Sequence, residues 1–268
     1  MHDDKRFTGS IAALYESHLV PLIFEPYAED IASRTAALRP RRVLEIAAGT
    51  GVVTRRLAST LGNAARIVAT DLNVTMLEEA RARGTAHPVE WRQADAMQLP
   101  FDDGAFDAVV CEFGAMFFPD KGKAFAEARR VLAPGGTFLF NVWDRIEDND
   151  FADDVTRAMA VMFPSNPPRF LARTPHGYHD RATIERDVRL GGFGDVAAFA
   201  TVTARSRADS AERAAFAYCH GTPLRNEIEE RGGSLDDATQ AGTRAIARRF
   251  GNGAVDGKIQ AHVIVARR

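Results

Sequence analysis

The stretch VLEIAAGTGVVTRRL, residues 43–57, constrains the chain more tightly than any other. An apolar run over residues 42–48 carries one acid, Glu45, and then meets Gly49 and Gly51; Val53, Leu57 and Leu61 follow at helical spacing. This reads as the first strand–loop–helix of a parallel sheet. In open sheets of that kind, ligands bind beyond the carboxyl ends of the strands. Small loop residues let a ligand approach the backbone, and the helix N-terminus offers free N–H groups. A plain structural turn uses the same glycines, so the loop alone names no ligand.

The pattern repeats downstream. RIVATD (66–71) reads as a second strand, and Asn73 as the N-cap of a helix that turns Val74, Leu77 and Ala80 inward. VEWRQAD (89–95), FDAVVCEF (106–113) and GTFLFNVW (136–143) read as strands three to five. A helix over 123–132 puts Phe125, Ala128 and Leu132 on one face. APGG ends it, with Pro134 fixing φ and Gly135 or Gly136 supplying a positive φ. Near-continuous apolar strands alternating with helices predict a parallel sheet covered on both faces. Two longer strands, 196–204 and 258–266, alternate partly with period two, and residues 210–250 between them read as a helical insertion. Residues 144–180 read as irregular, with Pro164, Pro167, Pro168 and Pro175. Before the first strand, some forty residues predict helix interrupted at Pro21 and Pro26. These three regions are expected to cover the sheet.

Composition excludes some partners. The formal charge of −2 creates no basic field, so neither nucleic acid nor an anionic membrane is expected. Cys111 and Cys219 are too few for a disulfide framework or a cysteine metal cluster. MHDDKRFTGS lacks the basic-then-apolar pattern of a signal peptide, and no apolar run reaches bilayer-spanning length. The expectation is a soluble, cytoplasmic protein.

Asp71 ends the second strand twenty residues after Gly51, where an acid can accept from both hydroxyls of a ribose. A nicotinamide dinucleotide would fit to this point, but its fingerprint Gly-x-Gly-x-x-Gly has Thr54 here as its last member. Asp95, at the end of the third strand, can accept from an adenine amino group, and Glu45 stands where an amino-acid amine needs neutralising. With LAPGG before the fifth strand, VLEIAAGTG, TD and FDAVVC together resemble the class I S-adenosylmethionine-dependent methyltransferases. The resemblance is to their quinone-biosynthesis-like, type 11 small-molecule group. It covers residues 41–145, and LGGF (190–193) and the last two strands also fit.

That resemblance implies an α/β fold: a Rossmann-like, doubly wound, seven-stranded sheet, mostly parallel, with the last strand antiparallel between the fifth and sixth. Residues 1–268 would form one domain, with cap helices over 1–40, a cofactor core over 41–145, lid insertions over 146–180 and 205–257, and the last strands over 190–204 and 258–268. The cofactor would be S-adenosylmethionine, leaving as S-adenosylhomocysteine. In the loop Ala47 to Gly51, with Thr50, Gly49 and Gly51 would lie under the methionine part, and Glu45 would reach its amine through water. Asp71 would hold the ribose and Leu72 would pack on adenine; Asp95 and the backbone of Ala96 would read the adenine edge. Glu112 and Phe113 would floor the site near the sulfonium. The family usually has glycine where this chain has Ala47, which implies a negative φ there.

The acceptor side is less determined, because displacement at a sulfonium demands alignment more than any one catalytic group. In RTPHGYHD (173–180), His176 and His179 are candidate general bases or anchors, with Tyr178 beside them; equally, they are loop-stabilising hydrogen-bonders. His176-x-x-His179 with Asp180 lacks the further ligands of a metal site, so no metal is expected. Tyr15, His18 and Phe24 lie on the expected cap helix, facing either the cofactor or the core and solvent, and Met116, Phe117 and Phe118 are substrate wall or core. EFGA follows the fourth strand where enzymes that methylate amide or base nitrogens carry an Asn-Pro-Pro-Tyr-like tetrapeptide, which argues for a small-molecule acceptor. A nicotinamide-dependent oxidoreductase and a non-catalytic binding module remain as alternatives.

Overall fold

The computed structural model describes residues 11–268; the leader-peptide reading and the start of the expected cap helix fall on residues 1–10, outside the described residues. Among the described residues seven strands form one sheet: β1 (Arg42–Ile46), β2 (Arg66–Asp71), β3 (Val89–Gln93), β4 (Phe106–Glu112), β5 (Leu132–Trp143), β6 (Ala198–Ala208) and β7 (Val255–Arg267). Their order is β3-β2-β1-β4-β5-β7-β6. β1 to β5 pair in parallel, and β7 runs antiparallel to both β5 and β6. This is the doubly wound arrangement expected from the sequence.

Successive side chains on a strand point to opposite faces, and the sequence fills both with apolar residues. Val43, Ala108, Val110 and Leu139 meet Ala28 and Ile31 of α2 (Glu25–Ala37) and Val53 and Leu57 of α3 (Val52–Leu61). Leu44, Ile46, Val109, Cys111, Phe138 and Phe140 share the other core with Phe125 and Ala128. α4 (Val74–Arg83) starts at Asn73, whose side chain accepts from the N–H of Thr75, as its cap role requires. α5 (Lys121–Val131), which carries Phe125 and Ala128, is capped in the same way by Asp120.

The covers differ from expectation in two places. The N-terminal segment is not broken by its prolines: α1 (Ile11–Leu14), a π-helical stretch (Tyr15–Phe24) and α2 follow one another without leaving helical backbone. Pro21 sits inside the widened stretch, and Pro26 directly after it, at the start of α2. Residues 144–180 are not irregular throughout. α6 (Asp150–Met162) buries Phe151, Val155 and Met159 at intervals of one turn, and the prolines that mask this period come only after its end. α7 (Phe170–Arg173) and α8 (Arg181–Leu190) complete that cover; α9 (Ala211–Gly221), α10 (Leu224–Glu229) and α11 (Leu235–Phe250) form the insertion between β6 and β7. Asp180 caps α8 through the N–H of Thr183. No described helix is long and apolar enough to cross a membrane.

α8 reaches α5 through Gly191, where an added Cβ would lie 2.5 Å from Cβ of Phe125 and 3.0 Å from its carbonyl carbon. Gly191→Ala is therefore expected to cost about 1–3 kcal/mol by overpacking. Gly194→Ala, with nothing within 4 Å, should stay within about 0.5 kcal/mol of the parent. Urea unfolding of the two variants checks the contrast.

Candidate active site

The ends of three neighbouring strands deliver acids to one place. β2 ends on Asp71, β4 on Glu112, and β1, between them, carries Glu45 and runs into the glycine loop. The Asp71 carboxylate accepts the N–H of Gly49 through Oδ2 and that of Asn73 through Oδ1, each at 2.8 Å. One side chain thereby ties the loop to the start of α4. The loop is further set by the N–H of Ala48 donating to the Thr70 carbonyl and that of Gly51 to the Ala48 carbonyl, both at 2.9 Å.

Ala47 departs from its expected backbone. Its φ is +55°, in the left-handed region, not negative. Alanine is accommodated because the residue facing it is glycine: a Cβ on Gly114 would stand 2.4 Å from Cβ of Ala47. Phe113 is also left-handed, at +49°, and is held by its neighbours. Its N–H donates to the Asn141 side-chain oxygen at 2.9 Å, and its ring stacks on Trp143 at 3.9 Å with Tyr27 edge-on to both.

A cavity of about 430 Å³ opens over these strand ends. Tyr15, Ala47, Gly49, Asp71, Leu72, Asp95, Ala96, Glu112, Phe113, Phe117 and Phe118 line it, with Asn73, which the sequence marked only as a helix cap, and Met76, which it did not single out. Its lining contains three carboxyls and, among the described residues, no lysine, arginine or histidine. Burial pushes the Glu112 carboxyl well above its ordinary range, and neighbouring Glu45 adds to the rise. The Asn141 amide favours the ionised form but misses hydrogen-bond geometry, so Glu112 Oε1 and Asn141 Nδ2 are both without partners. Burial also raises Asp71, against the N–H groups it accepts. The remaining surface of Asp71 and Glu112 belongs to the cavity they line.

Glu45, Thr50 and Gly51 do not line this space. The Glu45 carboxyl is buried one layer behind, accepts from the Thr54 hydroxyl at 2.6 Å, and is pushed up to about 8, chiefly by burial. Thr50 is buried. Gly51, at φ +83°, turns toward Trp91 and Ala80, so its second requirement is packing.

A second cavity of about 70 Å³ shares the wall of Tyr15, Phe113 and Phe117 with the first. Met116, Phe24, Trp143, Phe170, Asn149 and His176 enclose it. The Nδ1 of His176 lies 2.8 Å from the Asp144 carbonyl, which only accepts, so Nδ1 carries the proton and Nε2 is the basic nitrogen. His18, Tyr178 and His179 line neither cavity. His18 contacts Ser17 and the ring of Phe216, the Tyr178 hydroxyl donates to Asp187 at 3.0 Å, and His179 bonds the His176 carbonyl. Phe24, a candidate of the cap helix, reaches this wall, whereas Trp143 and Phe170 were not legible in the sequence, where each is an ordinary core residue.

The methyltransferase domain family matches residues 44–140. The ubiquinone/menaquinone biosynthesis C-methyltransferase UbiE of Stutzerimonas stutzeri is 31% identical over 172 residues, which cover 59% of this chain and 67% of that protein. The chain belongs to the class I S-adenosylmethionine-dependent methyltransferases, in their quinone-biosynthesis-like group. Other proteins of the same name are matched over as little as 40% of their length. Among solved structures, the phosphoethanolamine N-methyltransferase 2 of Haemonchus contortus aligns with a TM-score of 0.58 at 17% identity, over 99% of this chain and 59% of that one. The [4+2]-cyclase SpnF aligns with a TM-score of 0.58 at 21% identity, over 91% and 80%. At such identities the structural likeness establishes the fold alone.

The cofactor of this methyltransferase is S-adenosylmethionine, and the cavity fits it. A lining with three carboxyls and no described basic group complements a ligand bearing a sulfonium and an ammonium. The same acids oppose the pyrophosphate of a nicotinamide dinucleotide. Thr54, standing where that fingerprint has its last glycine, is occupied with Glu45.

Two outcomes follow for stability. Left-handed alanine costs about 1 kcal/mol that glycine does not, so Ala47→Gly should leave stability unchanged or raise it by up to about 1 kcal/mol. Ala47→Val should lose more than that, because a β-branched residue resists positive φ; denaturant midpoints compare the two. Burial lowers the His176 pKa from 6.5 to about 4. Between those values the unfolded chain binds a proton that the folded protein refuses. Stability is thus complete above pH 6.5 and falls toward pH 4, by about 2 kcal/mol between pH 7 and 5. Glu45, raised to about 8, acts in the opposite sense over this range and equally in both proteins. Unfolding at both pH values should therefore show a stability change from pH 7 to 5 that is about 2 kcal/mol less favourable in the parent than in His176→Gln.

Proposed function

We propose that this methyltransferase acts on a small, partly apolar acceptor seated in the second cavity, against the wall it shares with the first. The observation that carries the reading is the junction itself: Tyr15, Phe113 and Phe117 border both spaces. Asp71 binds the ribose, Leu72 covers the adenine, and Asp95 with Ala96 reads its edge. Bound S-adenosylmethionine supplies an electrophilic methyl group on sulfur. The chain's own part is alignment and exclusion of water across an aromatic wall, in an in-line displacement.

The second cavity holds about 70 Å³, roughly half the ~150 Å³ that admits a benzene ring. A ring-sized acceptor therefore extends into the adjoining part of the first cavity. His176, the one imidazole of that lining among the described residues, is suited to orient it, accepting from a hydroxyl or amine through Nε2 while Asp144 fixes the ring. The relatives are described as acting in ubiquinone and menaquinone biosynthesis, and a hydroxylated ring suits this lining.

The test is release of S-adenosylhomocysteine from S-adenosylmethionine across hydroxylated aromatic acceptors, with peptides and oligonucleotides as counter-examples. Turnover confined to the ring compounds supports the reading. Tight cofactor binding without turnover on any acceptor overturns it in favour of a binding module. Asp71→Ala should weaken cofactor binding by about 1–3 kcal/mol through lost charge-assisted hydrogen bonds, and unchanged affinity in calorimetry would remove the ribose assignment.

A further inference from the structure

Among the described residues, Glu112 is the one acid of the cavity lining with no donor in hydrogen-bond geometry, the Asn141 amide being near but misaligned. Asp71 accepts from Gly49 and Asn73, Asp95 accepts the N–H of Met97, and Glu45 accepts from Thr54. Glu112 Oε1 is inaccessible and has no partner among the described residues, although its residue borders the cavity. An uncompensated buried carboxylate is costly, and neutralisation by a proton is the ordinary resolution. Burial and Glu45 oppose its ionisation, and the Asn141 amide favours it from outside hydrogen-bond geometry. β1 presents Glu45, the π-helical stretch presents Tyr15, α2 presents Tyr27, and β5 presents the uncharged Asn141. Arg55 acts on Glu45 and is itself engaged by Glu16 at 2.6 Å and the Thr50 carbonyl at 2.7 Å.

We propose that Glu112 is the residue that distinguishes the sulfonium cofactor from its neutral thioether product: its carboxyl is protonated in the empty cavity and gives that proton to solvent when the positive charge arrives. The inference rests on the cofactor placement proposed above. Methyl transfer removes the sulfonium charge, after which the carboxylate again faces Glu45, the phenols and the Asn141 amide with no cation beside it, and takes up a proton. The product is thereby held without the ion pair that held the substrate. Burial and the neighbouring Glu45 push the carboxyl well above the ordinary carboxylate range, toward the protonated form, when no cation is present.

Calorimetric titration of the full chain with S-adenosylmethionine and with S-adenosylhomocysteine, at pH 7 in two buffers of different ionisation enthalpy, counts the protons released. The expected result is close to one proton released with the sulfonium compound and none with the thioether, and an affinity for the former that rises between pH 6 and 8. Glu112→Gln keeps the shape and removes the charge. It should abolish the proton release, bind S-adenosylmethionine about tenfold more weakly at pH 8, and bind S-adenosylhomocysteine within about threefold of the parent, the last value also reporting that the variant is folded. Equal proton release with both ligands overturns the proposal, as does equal weakening of both by Glu112→Gln. Release that survives in Glu112→Gln but disappears in Glu45→Gln moves the role to Glu45 and also overturns it. If neither nucleotide binds the parent, the cofactor placement fails and this role with it; binding of both without a difference in protons removes the Glu112 role alone.

Discussion

The Asp71 carboxylate accepts the N–H groups of Gly49 and Asn73, and the site is arranged around that pair of bonds. They close the glycine loop over the end of β2, fix where α4 begins, and leave the remaining lone pairs of the same carboxylate at the edge of the cavity. A buried acid is tolerable there because backbone donors offset part of its desolvation. Its neighbours are treated differently. Glu45 has a single hydroxyl donor, and Glu112 has none. The three strand ends thus form a gradient of compensation, from a carboxylate well supplied with donors to one that lacks them.

That gradient gives the cavity its electrostatic character. Donor-rich acid lies toward β2, and the least compensated acid lies on β4, beside the aromatic wall that separates the two cavities. On the far side of the wall the lining is apolar apart from a few polar groups, among them Asn149 and a histidine kept neutral by burial. Charge is concentrated on one side of Phe113 and nearly absent on the other.

Much of the sheet was legible because its residues obey local rules. β2 has the boundaries its apolar run predicts, Asn73 and Asp180 cap as their positions require, and β7 inserts antiparallel between β5 and β6. The misreadings arise where tertiary packing overrides a local signal. Prolines at 164, 167 and 168 made the whole of 144–180 look irregular, although Phe151, Val155 and Met159 already mark a helix face. Pro21 reads as a helix breaker in isolation, but a widened turn accommodates it. At the site, residues on strand ends were found because topology dictates where strands end. Of the candidates on loops and covers, Tyr15, Met116, Phe117 and His176 reach a cavity, whereas His18, Tyr178 and His179 do not. Which side of a loop faces inward is a tertiary fact that no spacing encodes.

The contact between Ala47 and Gly114 carries a consequence for how such a site changes over time. The two residues are far apart in the chain, one after β1 and the other after β4, yet one methyl group fills the space between them. A side chain is admitted at either position only while the other forgoes one. Substitutions at 47 and 114 are therefore not independent events: the order in which they occur decides whether each is tolerated. A lineage that loses the methyl at 47 removes the nearer obstacle at 114, where the Cys111 sulfur, 2.9 Å from an added Cβ, must still give way, whereas one that keeps it is confined to glycine there. The pair is a reciprocal steric constraint between two strand ends.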